Sequence, residues 1–454
     1  MIPCYNHCMK RRSAVPVFQE LIERETGSLV EIMQKALPEA LSMERYLSWQ
    51  ELRYRKAPDG LSKEQWWLGV KLHRTQARQS IPLRNARGKS FNFASTQYIQ
   101  QCLHKIDRAS GTMLLTDAST VFSVTERDRY LLTSLAEEAI MSSMLEGAVV
   151  TRSEARELIR SNRPPKDEHE QMVMNNYRTM RMILQHKDEP LTPAFILSLH
   201  RSMVEGTLRN PGKSGSLRQE EDKVCIEDTR SGDIIHMPPA ADSLSGRLEE
   251  LCRFANGEDE GEYYIHPIIR AIILHFQLAY DHPFVDGNGR TARSLFYWGM
   301  LHAGYWLFEY ISISREIYAH PRSYYEAFVN TEEDDNDLNY FIIDQLNTLY
   351  SSIESLVEHL RTKQQLNEKL RLSLLNVALL NHRQKNLLLH FLQHPNASTS
   401  VTIHCEEYKV VRQTARTDLT CLEKLGFLYS ECISREFIFK PVPDLEQRIS
   451  GFIG

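Results

Sequence analysis

Twelve consecutive residues carry most of the chemistry this sequence offers: His282-Pro283-Phe284-Val285-Asp286-Gly287-Asn288-Gly289-Arg290-Thr291-Ala292-Arg293. Gly287 and Gly289 let the backbone take positive φ and come close to a ligand. Successive main-chain N–H groups running into a helix start form a concave donor surface suited to an anion. Arg290 and Arg293 stand three apart, so both project from one face of the first helical turn. Two guanidiniums beside such a nest imply a polyphosphate. Asp286 sits just before the nest, where a carboxylate beside phosphates is suited to Mg2+. His282 titrates near neutrality and can take a proton from an attacking hydroxyl. Phe284, between these polar positions, reads as an anchor that pins the loop to a core. A competing arrangement makes His266, His275, His282 and Asp286 a metal hydrolase site. It places His275 and His282 on one helical face, but leaves the arginines and glycines without a use.

The elements that must hold these residues are mostly helical. Residues 267–280 are apolar nearly all round (Ile268, Ile269, Ile272, Ile273, Leu274, Phe276, Leu278), which predicts a central buried helix. A second apolar helix runs from about Thr291 through Leu295, Phe296, Trp298 and Leu301, so the loop joins two core helices. Upstream, Thr125-Glu126-Arg127-Asp128 gives a capped start. Leu131, Leu135, Ile140 and Met144 follow at helical spacing, and Gly147 can stop the helix. Further helices are expected over 151–161, 168–186 and 192–206. Val224-Cys225-Ile226 and Asp233-Ile234-Ile235-His236 flank the turn-rich 228–232 and predict a hairpin ended by Met237-Pro238-Pro239. Leu346, Leu349, Ile353, Leu356 and Leu360 predict a long helix within 345–380.

Length and composition bound the rest. The chain has 454 residues, 42% hydrophobic and 25% charged, as in an ordinary globular protein of several domains. A net charge of −5 argues against coating nucleic acid or an anionic membrane with the whole surface. No stretch approaches 18 uninterrupted apolar residues, so no membrane span is expected. The first residues are polar and basic where a signal peptide needs an apolar core. Eight scattered cysteines suit a reducing cytoplasm better than a disulfide framework, and a cytoplasmic location is expected. Cys4, His7 and Cys8 lack a second ligand pair at zinc spacing.

The loop resembles the Fic-family motif H-x-F-x-(D/E)-G-N-G-R-x-x-R and matches it at every defined position. The resemblance covers about residues 125–345. It implies an all-α core with a short β-hairpin flap, and transfer of AMP from ATP to a Ser, Thr or Tyr hydroxyl of a target protein. By the same resemblance His282 is the general base and Asp286 the Mg2+ ligand. Gly287, Asn288 and Gly289 cradle the phosphates, Arg290 and Arg293 bind the outer phosphates, and Phe284 is structural. Some relatives move other phosphate-containing groups, so the motif alone does not fix the donor. Ser142-Ser143-Met144-Leu145-Glu146-Gly147 fits the family's inhibitory pattern (S/T)-x-x-x-E-(G/N). Ser142 and Glu146 share a helical face, Gly147 ends it, and Glu146 is expected to engage Arg293 in place of a γ-phosphate. In some relatives this glutamate orients water to remove AMP, so the reverse activity stays open.

The hairpin at 224–236 falls where the family has a target-binding flap, whose exposed edge could pair with an extended segment. Residues 380–445 suggest a winged helix, with Arg412 and Arg416 on its recognition helix should DNA be bound. Glu406, Glu407 and Glu423 lie nearby and thin the basic density, so DNA binding, and a DNA-binding regulator as the alternative function, stay undecided. The expected divisions are an accessory region at 1–124, the catalytic core at 125–345, a helical connector at 346–379 and the winged-helix-like domain at 380–454. Self-modification and a homodimer are left open.

Overall fold

The computed structural model describes residues 12–40, 46–115, 124–227, 232–258, 264–393, 397–433 and 436–453. Cys4, His7, Cys8 and most of the 228–232 turn lie outside these residues, as do the side chains of Thr125–Asp128. Two compact units emerge. The first joins Met1–Ser110 to Thr133–Ile353, and the second joins Gly111–Leu132 to Glu354–Gly454. Among the described residues no helix is long and apolar enough to cross a membrane.

The first unit is built on two helices, Pro267–Asp281 and Asn288–His302. The first starts with proline at its first position, where the missing N–H costs nothing, and with His266 accepting from Ile268 N at 3.3 Å. Apart from its first residue and Ala279, every residue of this helix is buried, as its all-round apolar sequence predicts. It packs tightly on the second helix. A Cβ on Gly299 would lie 3.0 Å from the Ala271 methyl, so glycine permits the close crossing. Helices Glu168–Gln185 and Pro193–Met203 lie close to the ones expected at 168–186 and 192–206. The hairpin is shorter than expected: Ile226–Glu227 pairs antiparallel with Ile234–His236.

Residues 12–110 share this unit with the helical pair. Their own core gathers Trp49, Trp66, Trp67, Ile32 and Leu52. A hairpin of Arg78–Arg84 and Ser90–Ala94 sends Phe91 against Phe276 and Tyr280, at 5.2 Å between centroids in each case. Buried Lys71 is ion-paired to Asp334, and Arg78 and Tyr46 both bond Asp337.

The second unit contains helices His382–Gln393, Val401–Tyr408 and Arg412–Lys424. Its three-stranded antiparallel sheet has Glu436–Pro441 between Thr399–Ser400 and Leu428–Ile433. Leu388, Phe391, Leu419, Leu422, Phe427 and Phe439 form its core. Buried Asp418 accepts from Arg383 at 2.7 Å and from Asn381 at 2.7 Å, fixing the start of the first helix to the third. Leu428–Ile433 and Glu436–Pro441 pair along their whole length, from Leu428 against Pro441 to Ile433 against Glu436.

Candidate active site

The twelve-residue loop is shaped by two left-handed residues. His282 caps the first helix at φ 46°, and Gly287 precedes the second at φ 79°. A non-glycine residue with positive φ costs energy, so surrounding contacts must hold His282 there. Arg218 supplies them: its Nε donates to the His282 carbonyl at 2.9 Å, and its N–H donates to the Pro283 carbonyl at 2.8 Å. Its guanidinium also bonds the Pro239 carbonyl, just beyond the hairpin.

Inside the loop, the Asn288 side chain braces the turn. Its Oδ1 accepts from Phe284 N at 2.9 Å and its Nδ2 donates to Phe284 O at 2.8 Å. That side chain is therefore committed to the loop, and only the Asn288 main chain remains for an anion. Phe284 is fully buried and stacks on His200 at 3.7 Å between centroids. His200 accepts from Gly215 N through Nδ1 at 3.1 Å and donates from Nε2 to the Asp286 carbonyl at 3.0 Å. One acceptor and one donor define a neutral ring. Burial agrees, pushing its pKa down to about 4.

His282 donates from Nδ1 to the Ala279 carbonyl at 3.2 Å. A ring with Nδ1–H leaves Nε2 as the basic nitrogen. Burial pushes its pKa down to about 4, with the Ala279 carbonyl opposing the shift and His236 adding to it. The ring lines a slot bounded by Glu146, Gly289, Arg293, Tyr324, Ile226 and Ile235.

Arg290 and Arg293 are both buried within the second helix's first turns. Arg290 donates to the Met203 carbonyl at 3.3 Å and stands 3.7 Å from Asp286, while its Nε has no partner. Burial lowers its pKa, which leaves it charged all the same. Burial also opposes the charge of Arg293, but Glu146 and Tyr324 outweigh it and raise the pKa. Arg293 Nε donates to Ser142 Oγ at 2.9 Å, and Nη2 to Ser142 O at 3.1 Å and Glu146 Oε1 at 2.8 Å. Glu146 lies directly over Gly289: a Cβ there would come within 2.1 Å of Glu146 Oε1. A carboxylate oxygen thus sits on an arginine and against a helix N-terminus, which is anion geometry. Gly147, at φ 92°, ends the turn behind it, its N–H donating to Met144 O at 3.0 Å.

The helix Val124–Leu145, which carries Ser142, is anchored one turn before that serine. Buried Glu138 accepts from Tyr297 Oη at 2.9 Å, Ser312 Oγ at 2.8 Å and Ser314 N at 3.0 Å. Residues 138, 142 and 146 therefore face one wall. Among the described residues no group of three or more His, Cys, Asp or Glu is gathered as a metal cage, and His275 Nε2 lies 2.9 Å from Tyr324 Oη instead. Asp286 is a single exposed carboxylate at the loop mouth. One carboxylate fits Mg2+ only as an ion shared with phosphates and water.

Of the loop residues singled out by type, His282, Gly289 and Arg293 line one slot with Glu146, which comes from 147 residues before Arg293; Asp286 stands at the loop mouth, Phe284 lies in the core, and Ser142 bonds Arg293. Sequence reasoning missed His200, Arg218 and Glu138. A lone histidine, arginine or glutamate carries no local signal when the loop or helix it braces lies more than 60 residues distant, as it does here.

The model of the Fic/DOC family matches residues 190–299. A protein adenylyltransferase Fic of Nematostella vectensis is 26% identical over 215 residues, 46% of each chain. A protein adenylyltransferase Fic of Drosophila sechellia is 34% identical over 110 residues, 24% of this chain and 20% of that protein. The chain thus matches less than half the length of either relative. A solved Fic family protein from Desulfovibrio desulfuricans G20 superposes with TM-score 0.51 at 18% identity, covering 77% of this chain and 97% of that one, and speaks for the fold. The loop, its two helices and the matched span lead to one conclusion: this chain carries a Fic/DOC-family domain at residues 190–299.

Proposed function

We propose that this protein transfers AMP from ATP to a hydroxyl of a target protein and restrains itself through Glu146. The observation that carries the reading is the pairing of a neutral His282, basic at Nε2, with an anion nest now occupied by Glu146. The names of the relatives in Nematostella and Drosophila supply the reaction class.

The chemistry follows from the residues. The target hydroxyl attacks the α-phosphorus of ATP while His282 Nε2 takes its proton. A new oxygen–phosphorus bond forms, the bond to the bridging β-oxygen breaks, and pyrophosphate leaves. Loop amides at 287–289 and the guanidiniums of Arg290 and Arg293 hold the phosphates in line, so positioning and electrostatics supply the acceleration. Asp286 is the residue that would hold Mg2+, which when bound neutralises phosphate charge. Strands Ile226–Glu227 and Ile234–His236 offer an edge to an extended target segment.

Glu146 stands where a phosphate oxygen would bind Arg293, so ATP must displace it to sit productively. A charge-assisted pair is worth about 1.5–3 kcal/mol, or roughly ten- to a hundredfold in rate. Glu146→Gly should raise labelling from radioactive ATP by about that factor. His282→Ala in the same background should lower it by about a hundredfold or more. Equal labelling by wild type and Glu146→Gly removes the inhibitory role. Placement of the Glu146 carboxylate in the His282 slot also favours a second reading, activation of water to release AMP. Loss of AMP from a modified protein incubated with wild type, but not with Glu146→Gly, would select it.

For the second unit we propose a winged-helix-like module. Its helix–strand–helix–helix–strand–strand order supports that, and Arg412 and Arg416 are exposed on the third helix beside exposed Glu406 and Glu407. Mixed charge of this kind favours a protein surface over duplex DNA.

A further inference from the structure

His236 closes the second strand of the hairpin and pairs with Ile226. Its neighbours Ile234 and Met237 are 56% and 58% exposed, yet His236 is 6% exposed. The ring is buried between two helices. Nε2 lies 2.7 Å from the Tyr280 carbonyl, in the last turn before His282. Nδ1 lies 2.9 Å from Glu332 Oε2, in the Pro321–Glu333 helix. The ring also packs against the Tyr280 ring, tilted by 56° with 4.6 Å between centroids.

Both ring partners are acceptors. A carbonyl has no proton to give, and neither has an ionised carboxylate. Neutral imidazole has only one N–H, so both bonds together require the imidazolium. We propose that His236, as an imidazolium bridging the Tyr280 carbonyl and Glu332, is a positioning residue that fixes the target-pairing strands against the turn bearing the catalytic base. The proposal rests on the transfer reading for its purpose, but its geometry is independent of it.

Other charges around the ring support the protonated form. Glu332 faces it from one helix. From the other come Asp281, itself paired to Arg247 at 2.9 Å, and the neutral His282. Arg218 bonds the Pro239 carbonyl just beyond the hairpin, and Arg247 is held by Asp281. Burial works against the charge, yet Glu332, the Tyr280 carbonyl and Asp281 outweigh it and raise the pKa above the ordinary histidine value. The same proton depresses the pKa of His282, so a fixed strand pair and a neutral base occur together.

The consequence is a pH-dependent placement of the acceptor site. Below the raised pKa the strands are pinned. Above it one of the two bonds is lost and the strand end loosens. A merely structural histidine would give a loss that does not follow pH.

The experiment uses the full chain with ring-15N histidine, with the His236 signals assigned by their loss in His236→Gln. We expect both ring nitrogens to carry protons at pH 7, with a titration above the ordinary value of about 6.5. Amide exchange at residues 226, 227 and 234–236 should accelerate about tenfold beyond the intrinsic pH effect as that proton leaves. Glu332→Gln should shift both the titration and the exchange step to lower pH, and His236→Gln should abolish the step. In the Glu146→Gly background, His236→Gln should cut labelling of lysate proteins about tenfold while ATP still binds. A neutral His236 at pH 7, or an exchange step indifferent to Glu332→Gln, overturns the proposal and leaves AMP transfer standing. Absence of labelling by Glu146→Gly itself would instead sink the transfer reading, with the titration result intact.

Discussion

At the scale of single residues, the site depends on how closely Glu146 approaches Gly289. A Cβ at 289 would fall 2.1 Å from Glu146 Oε1, so Gly289→Ala must expel that carboxylate. If a phosphate oxygen uses the same space, the substitution also blocks ATP. Gly289→Ala should therefore fail to activate the enzyme, unlike Glu146→Gly. Calorimetric titration of the Gly289→Ala/Glu146→Gly double variant should show ATP affinity at least tenfold weaker than in Glu146→Gly. Unchanged affinity would mean that carboxylate and phosphate occupy different places. The glycines and the two arginines are legible from residue types; the upstream Glu-Gly takes its meaning only from the family resemblance. The role of Asn288 was not. Its side chain bonds both backbone groups of Phe284, and nothing in a Gly-Asn-Gly triplet distinguishes a brace from a ligand.

At the scale of elements, the loop and the helices around it carry histidines kept neutral. His200 and His282 are pushed down to about 4, and fully buried His275 well below its ordinary value. In the unfolded chain each takes a proton near pH 6.5, while in the folded chain it does not. The unfolded state therefore binds more protons as pH falls. The stability these residues contribute is fully present above about 6.5 and drains away toward 4. His236 has the opposite sign, stabilising below 6.5 and losing that contribution as pH rises through its raised value. Three groups against one predict a melting temperature that drops between pH 6.5 and 4.5, measured by calorimetry. A flat profile over that range would contradict the neutral assignments. Element positions were readable because the helices carry strong apolar periodicity and the loop carries glycine. The hairpin was predicted too long, since Val224 and Cys225 add no ladder pair to the two strands.

At the scale of the whole chain, each unit has a core of its own, and the first is knit by buried charges between distant segments. Lys71, 1% exposed, pairs with Asp334, 4% exposed. Breaking a buried pair from one side leaves an uncompensated charge and costs about 3–5 kcal/mol. Lys71→Ala should therefore shift the urea midpoint strongly, and Lys71→Met with Asp334→Leu should recover most of the loss. No recovery would point to the lysine stem rather than its charge. No spacing rule reports such a partner 263 residues away, so the tie between the first hundred residues and the helical core is not legible in the sequence.

The central claim is that AMP, and not phosphate, moves. Glu146→Gly protein incubated with target lysate and ATP labelled at the α-phosphorus, or in parallel at the γ-phosphorus, decides it. Protein-bound label is expected from the α-position only, lost with His282→Ala. Label from the γ-position, or none from either, would contradict it.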